Sequence, residues 1–338
     1  MRLQIEVIVW RGGIRESRHR LWAAVADPDG RLVAGTEQAD AVTTFRSAAK
    51  PFQLLPLVER GHAERWELSD EELALMSASH VGSPAHVERV SGILGRLGLD
   101  HRHLACGYHE PVDPVSLAHV RAHPEARTAL YNNCSGKHAG MLCLALSERW
   151  PVEGYHRPDH PVQQLMRHTV AEMCGVAPES MAVAVDGCNV SVFGLPLSAM
   201  ARGYARLAAA SATGDERERA LHRIRTAMCA HPWAVGGAGR FSTVLMERTG
   251  GRLVAKGGAE GLELVGIPSR RLGVALKSED GQARGVGPAT VALLEQLGEL
   301  PAAELAQLPE WRRPLIHNHA GVEVGALEAV VRVPASTV

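Results

Sequence analysis

Ser47 and Lys50 stand three residues apart in FRSAAKPFQLLPL, at the mouth of an apolar run. Residues i and i+3 of a helix lie on nearly one face, so a hydroxyl and an amine at this spacing come within reach of each other. Pro51 has no N–H to donate, so it fits only in a first helical turn, which puts Ser47 at or near the helix start. Free backbone amides and the positive dipole end gather there, and both stabilise an oxyanion. A lysine is a poor base at its ordinary pKa. Burial and a second cation lower that pKa, and a neutral Lys50 can then take the Ser47 proton. The S-x-x-K spacing alone also suits a cap serine beside a snorkelling lysine.

A second hydroxyl–amine pair is Ser79 with Lys256. Ser79 lies in SASHVGSP, a small-residue loop after a helix. Lys256 closes the strand RLVAK ahead of Gly257 and Gly258, which allow close approach of backbone or ligand. A lysine ending a strand before a glycine turn is similar to the K-T-G element of serine acyl-transferases, with glycine in place of threonine. Read singly, Ser79 is a loop hydroxyl and Lys256 an exposed strand end.

Two further segments, NNCSGKHAG and VDGCN, bring sulfur. Cys134 and Lys137 share a C-x-x spacing, and Cys188 sits on a turn beside Gly187. Two thiolates and a third donor suit a zinc ion with one open position, although a lysine must lose its proton to coordinate. Spacing alone equally describes unrelated buried cysteines. The chain has 17 histidines but no H-E-x-x-H zinc signature. The GGAG stretch lacks the G-K-[ST] ending of a phosphate loop and reads as a tight turn before a helix near Phe241. Arg46 could take a substrate carboxylate and Asp186 a substrate amine.

The elements that must position these groups follow from pattern. LQIEVIVW and LWAAVADPDGRLVAG read as strands, the second with a hairpin turn at Asp27 to Gly30. SDEELALM places acids in the first turn of a capped helix starting at Asp70. Further helices are expected over 85–98, 160–174 and 215–230, and after Gly140. The segment from residue 253 reads as strand, turn, strand, strand and helix. Short turns between those strands favour an antiparallel sheet. The fold class is therefore α/β (α+β), a mostly antiparallel sheet flanked by helices. The 338 residues are read as a single catalytic domain, with room for two lobes around a cleft.

Composition sets limits on partners. The chain is 46% hydrophobic and 22% charged, with a formal net charge of −1. That balance gives no pull toward nucleic acid or an anionic membrane, and a small neutral or zwitterionic ligand fits better. The start, MRLQIEVIVWRGG, alternates like a strand and lacks the apolar h-region of a leader, so a cytoplasmic location is expected. Six cysteines without framework spacing are expected as thiols or metal ligands.

RGGIRESRH, RSAAKPFQ, SASH, NNCSGKHAGML, VDGC and AKGG occur in this order along most of the chain, and together they resemble the bacterial L-asparaginase II family, the thermolabile or Rhizobium-type asparaginases. The resemblance implies a fold similar to serine β-lactamases and glutaminases, and two Ser–Lys tandems, Ser47 with Lys50 and Ser79 with Lys256. It implies Ser47 as the acylated nucleophile and a zinc site at Cys134, Lys137 and Cys188. Arg46, His138 and Asp186 carry over as substrate-pocket residues, and a homodimer as the common assembly. The implied activity is hydrolysis of L-asparagine. Alternatives are a glutaminase, esterase or β-lactam hydrolase using the same S-x-x-K chemistry, or a non-catalytic zinc- or amino-acid-binding protein.

Overall fold

The computed structural model describes residues 1–333. The chain divides into two compact units: Met1–Ala48 with Leu195–Ala209 and Leu245–Val338, and Ala49–Gly194 with Ala210–Val244.

The first unit is built on an eight-stranded sheet. Its order is Leu315–His317, Glu323–Arg332, Gln4–Arg11, Ile14–Ala26, Leu272–Ser278, Leu262–Ile267 and Val254–Gly258, with Leu32–Gly35 also on Ile14–Ala26. Every strand pairing given for this sheet is antiparallel. The mixed class and the antiparallel sheet agree with the sequence pattern. The Asp27–Gly30 turn also forms as read, with Gly30 N–H donating to Asp27 O at 3.0 Å.

The helix Leu197–Ala209 packs on the sheet through small residues. A Cβ on Gly273 would lie 1.9 Å from the Ala201 carbonyl oxygen, so only glycine permits that approach. Val254 and Ala255 are fully buried on the last strand, which anchors the segment that carries Lys256.

The second unit is mainly helical, around Lys50–Glu59, Asp70–Met76, Pro84–Arg96, Ser135–Ser147, Pro161–Cys174 and Glu216–Ala230. Lys50–Glu59 packs against Ser135–Ser147, Pro161–Cys174 and Glu216–Ala230, and all of its residues but Glu59 are buried. Asp70–Met76 opens with a full capping box: the Ser69 side chain accepts from Glu72 N, and the Glu72 carboxylate accepts from Ser69 N. The hairpin Ala182–Val185 with the start of Ser191–Pro196 is antiparallel and carries Cys188 in its turn.

One boundary differs from the sequence reading. The helix placed after Gly140 begins at Ser135, so Lys137 lies in its first turn and Cys134 caps it. Glycines 136 and 140 weaken the local helix signal, yet both face the helix Asp70–Met76. A Cβ on Gly136 would meet Leu75 O at 2.4 Å, and one on Gly140 would meet Met76 Sδ at 3.2 Å. Among the described residues no helix is long and apolar enough to cross a membrane.

Candidate active site

Lys50 opens its helix directly after the 3-10 turn Arg46–Ala49, with Pro51 in the first turn as expected. The residue is 1% exposed. Its Nζ donates to the Ala78 carbonyl and to Ser79 Oγ, the latter at 3.0 Å. Burial pushes the Lys50 pKa below the usual lysine range; the Cys134 thiolate opposes that shift and Lys137 adds to it. Ser47 is half-buried in the 3-10 turn, and its hydroxyl makes no hydrogen bond among the described residues. Just before it, Arg46 holds φ at +44°, a left-handed value that costs a side-chain-bearing residue about 1–2 kcal/mol.

The Ser79 loop is held from several directions. Ser79 N–H donates to Val235 O at 2.9 Å, and His80 N–H donates to Asn133 O at 3.3 Å. His80 Nδ1 accepts from Gly82 N–H at 3.0 Å, which leaves the ring hydrogen on Nε2. Nε2–H then donates to Ser135 Oγ at 2.8 Å, and Ser135 donates onward to Leu130 O at 2.9 Å. Rings stack behind it, with His80 to His86 at 4.9 Å and His86 to Trp233 at 4.0 Å between centroids. Burial, first, and the neighbouring His86 and Lys50 keep His80 neutral by lowering its pKa well below the ordinary value. Burial likewise takes His86 down to about 4.

Lys256 departs from its reading as an exposed strand end. It is 3% exposed on the strand Val254–Gly258, and its Nζ donates to the Gly257 carbonyl at 2.6 Å. The last strand of a sheet is open along its edge, but side chains directed at a face can still be covered, and a sequence pattern does not separate the two cases.

Cys134, Lys137 and Cys188 are brought together. Lys137 Nζ donates to Cys188 Sγ at 3.0 Å, and the Cys188 thiol is hydrogen-bonded to Cys134. That bond, against the opposing effect of burial and with help from Lys50 and Lys137, takes the Cys134 pKa well below the usual thiol range. The same bond, and burial after it, push Cys188 up. Burial would lower Lys137, but the charges of Cys134 and Cys188 outweigh it and raise the amine to about 12. Asp186, half-buried in the same turn, adds to that rise, and its Oδ1 accepts from Gly187 N–H at 2.8 Å.

His138 is fully buried, with Nδ1 2.5 Å from the Tyr155 hydroxyl. Tyr155 also accepts from Ala105 N–H at 2.9 Å, so the phenol bridges His138 and the Ala105 backbone. This brace was not legible in sequence, because Tyr155 carries no motif and lies in an irregular segment. The same holds for Trp233 behind the histidine stack.

Among the described residues no group of three or more His, Cys, Asp or Glu is placed to hold a metal. An ion at the sulfur cluster would need the Lys137 amine as its third donor. The two sulfurs and the amine converge in one buried place and suit zinc in kind, provided Lys137 gives up its proton.

No curated protein matches the sequence. Several solved structures are similar in fold. A protein named Mglu, in its native form, matches with TM-score 0.47 and 18% identity over 82% of this chain and 61% of that one. The chain thus spans about 61% of that relative's length. A beta-lactamase from Mycobacterium bovis matches with TM-score 0.41 and 14% identity, over 86% of this chain and 94% of that one. A Bacillus glutaminase matches with TM-score 0.35 and 13% identity, over 82% and 91%. At such scores these likenesses carry no weight in reading the site. The sequence itself is more decisive: the model of the L-asparaginase II family matches residues 7–329, and the chain belongs to that family.

Proposed function

We propose that the protein hydrolyses the side-chain amide of L-asparagine, giving L-aspartate and ammonia through an acyl-enzyme. Family membership supports amide hydrolysis. The observation that carries the chemistry is the buried Lys50 Nζ, 3.0 Å from Ser79 Oγ. An amine with a lowered pKa beside a hydroxyl is the arrangement a lysine base requires.

In this reading neutral Lys50 accepts the Ser47 proton, and Ser47 Oγ bonds to the carboxamide carbon. Amides near the helix start stabilise the oxyanion. Ser79, on Lys50, passes a proton to the departing nitrogen, and Lys256 supports that relay. The C–N bond breaks and ammonia leaves. Water then adds to the ester carbon, the ester C–O bond breaks, and the proton returns to Ser47. Arg46 takes the substrate carboxylate and Asp186 its amine, while His138 holds Tyr155 in the pocket wall. Cys134, Lys137 and Cys188 would hold zinc, which supplies fixed positive charge for ordering that wall.

A second reading makes Ser79 the acylated serine. It is favoured by the Lys50–Ser79 bond and by the absence of a hydrogen bond on Ser47 among the described residues.

The test is ammonia release from asparagine, glutamine and a chromogenic β-lactam by purified protein, with peptide mapping of a trapped acyl group. Turnover of asparagine with the acyl group on Ser47 supports the first reading. An acyl group on Ser79 supports the second. Preference for glutamine or the β-lactam overturns the substrate assignment, and binding without turnover overturns catalysis.

A further inference from the structure

Away from every residue assigned a role above, the first unit holds a cavity of about 430 Å³, a size suited to a small ligand. Its walls include Arg2, Arg18, Arg20 and Arg332. Along the two paired strands Glu6, Arg18 and Arg20 alternate with the buried Ile5, His19 and Leu21, so the charged side chains share the sheet face opposite the core.

The charges do not balance locally. Glu6 on the opening strand, 17% exposed, is approached by three guanidiniums: Arg15 at 3.1 Å, Arg18 at 3.7 Å and Arg332 at 3.2 Å. Arg2 pairs separately with Glu37 at 3.1 Å. Arg20 stands directly across the ladder from Glu6, yet its side chain makes no hydrogen bond or ion pair among the described residues. Glu279 completes the acidic side of the cavity, and its backbone N–H donates to Arg20 O at 3.0 Å. Four lining arginines thus face three carboxylates, and Arg15 adds a further cation through Glu6. The surplus is close to two positive charges.

We propose that this cavity is a binding site for a small dianion, held by bidentate contacts from Arg20 and Arg18. Planar guanidinium forks match carboxylate and phosphate oxygens, and Arg20 has its donors free of any described partner. Arg18 lies 3.7 Å from Glu6, beyond hydrogen-bond distance, which leaves its fork open to a ligand. A dicarboxylate and a phosphate ester present the same oxyanion chemistry, so both belong to the ligand class.

Calorimetric titration of the whole protein with succinate and, separately, inorganic phosphate tests the site, with sodium chloride matched for ionic strength. One-site binding of either probe is expected, weakened at least tenfold in Arg20→Gln and again in Arg18→Gln. The preferred probe identifies the carboxylate or the phosphate as the native group. Ammonia release without added anion stays unchanged in Arg20→Gln, and thermal unfolding of that variant reports that it is folded. No binding of either probe at millimolar concentration, or equal binding by the Arg18→Gln/Arg20→Gln double variant, overturns the proposal.

Discussion

Lys50 Nζ lies 3.0 Å from Ser79 Oγ, although Ser47 is the serine beside it in sequence. Cys134 acts electrostatically on the same side chain, so one buried amine links the serine loop to the sulfur cluster. Removing it separates chemistry from stability. Lys50→Met should lower the rate of ammonia release by about 10³-fold or more, since it deletes the base. Burying a methionine spares the desolvation of an ammonium, so the melting temperature should hold near the wild-type value. Rate and thermal unfolding, measured on the same preparation, check both halves. Near-normal turnover in Lys50→Met would sink the assignment of the base.

The histidine stack gives a pH dependence with a definite sign. His86 falls from 6.5 to about 4 in the fold because of burial, and Ser83 Oγ at 2.7 Å and Trp233 O at 3.3 Å occupy its ring nitrogens. Below pH 6.5 the unfolded chain takes up a proton that the folded ring refuses. Its contribution is therefore complete above pH 6.5 and is lost as the pH falls toward 4. Between pH 7 and pH 5 this one group should remove about 2 kcal/mol of stability. Urea unfolding at the two pH values measures the loss, and His86→Phe should show a loss smaller by that amount. An identical pH dependence in wild type and variant would refute the role given to His86.

Gly136 makes a prediction about packing. A methyl group there would sit 2.4 Å from Leu75 O, a backbone atom that cannot rotate away. Gly136→Ala should destabilise the protein by about 1–3 kcal/mol, despite the better helix propensity of alanine. It should also reduce activity, since Lys137 is the next residue and Cys134 caps the same helix. Denaturant midpoints and rates for this variant, beside a solvent-facing Gly95→Ala control with nothing within 4 Å, check the claim. Equal effects of the two substitutions would refute it.

Much of this architecture is legible in the residues, for physical reasons that also mark where legibility stops. The capping box at Ser69, the Asp27–Gly30 turn and the C-terminal run of strands are local codes, written within a few residues. Pro51 fixed the start of the Lys50 helix for the same reason. The helix starts at Ser135 rather than after Gly140 because its glycines answer to a neighbouring helix rather than to their own. Burial of Lys256 and the His138–Tyr155 brace depend on tertiary contacts with no sequence period. The pairing of the last strand, Glu323–Arg332, with Gln4–Arg11 carries no local code, because the two segments meet only in the assembled sheet.

That last pairing constrains how the chain can be made. Trp10 Nε1 donates to Glu328 Oε2 at 2.8 Å, across 318 residues of sequence. On the ribosome, Gln4–Arg11 can pair at once with Ile14–Ala26, but its other edge waits for Glu323–Arg332. The helical unit has all of its residues once position 244 has emerged. The nascent chain therefore carries a finished helical unit while the free edge of Gln4–Arg11 stays unpaired until Glu323–Arg332 has been made.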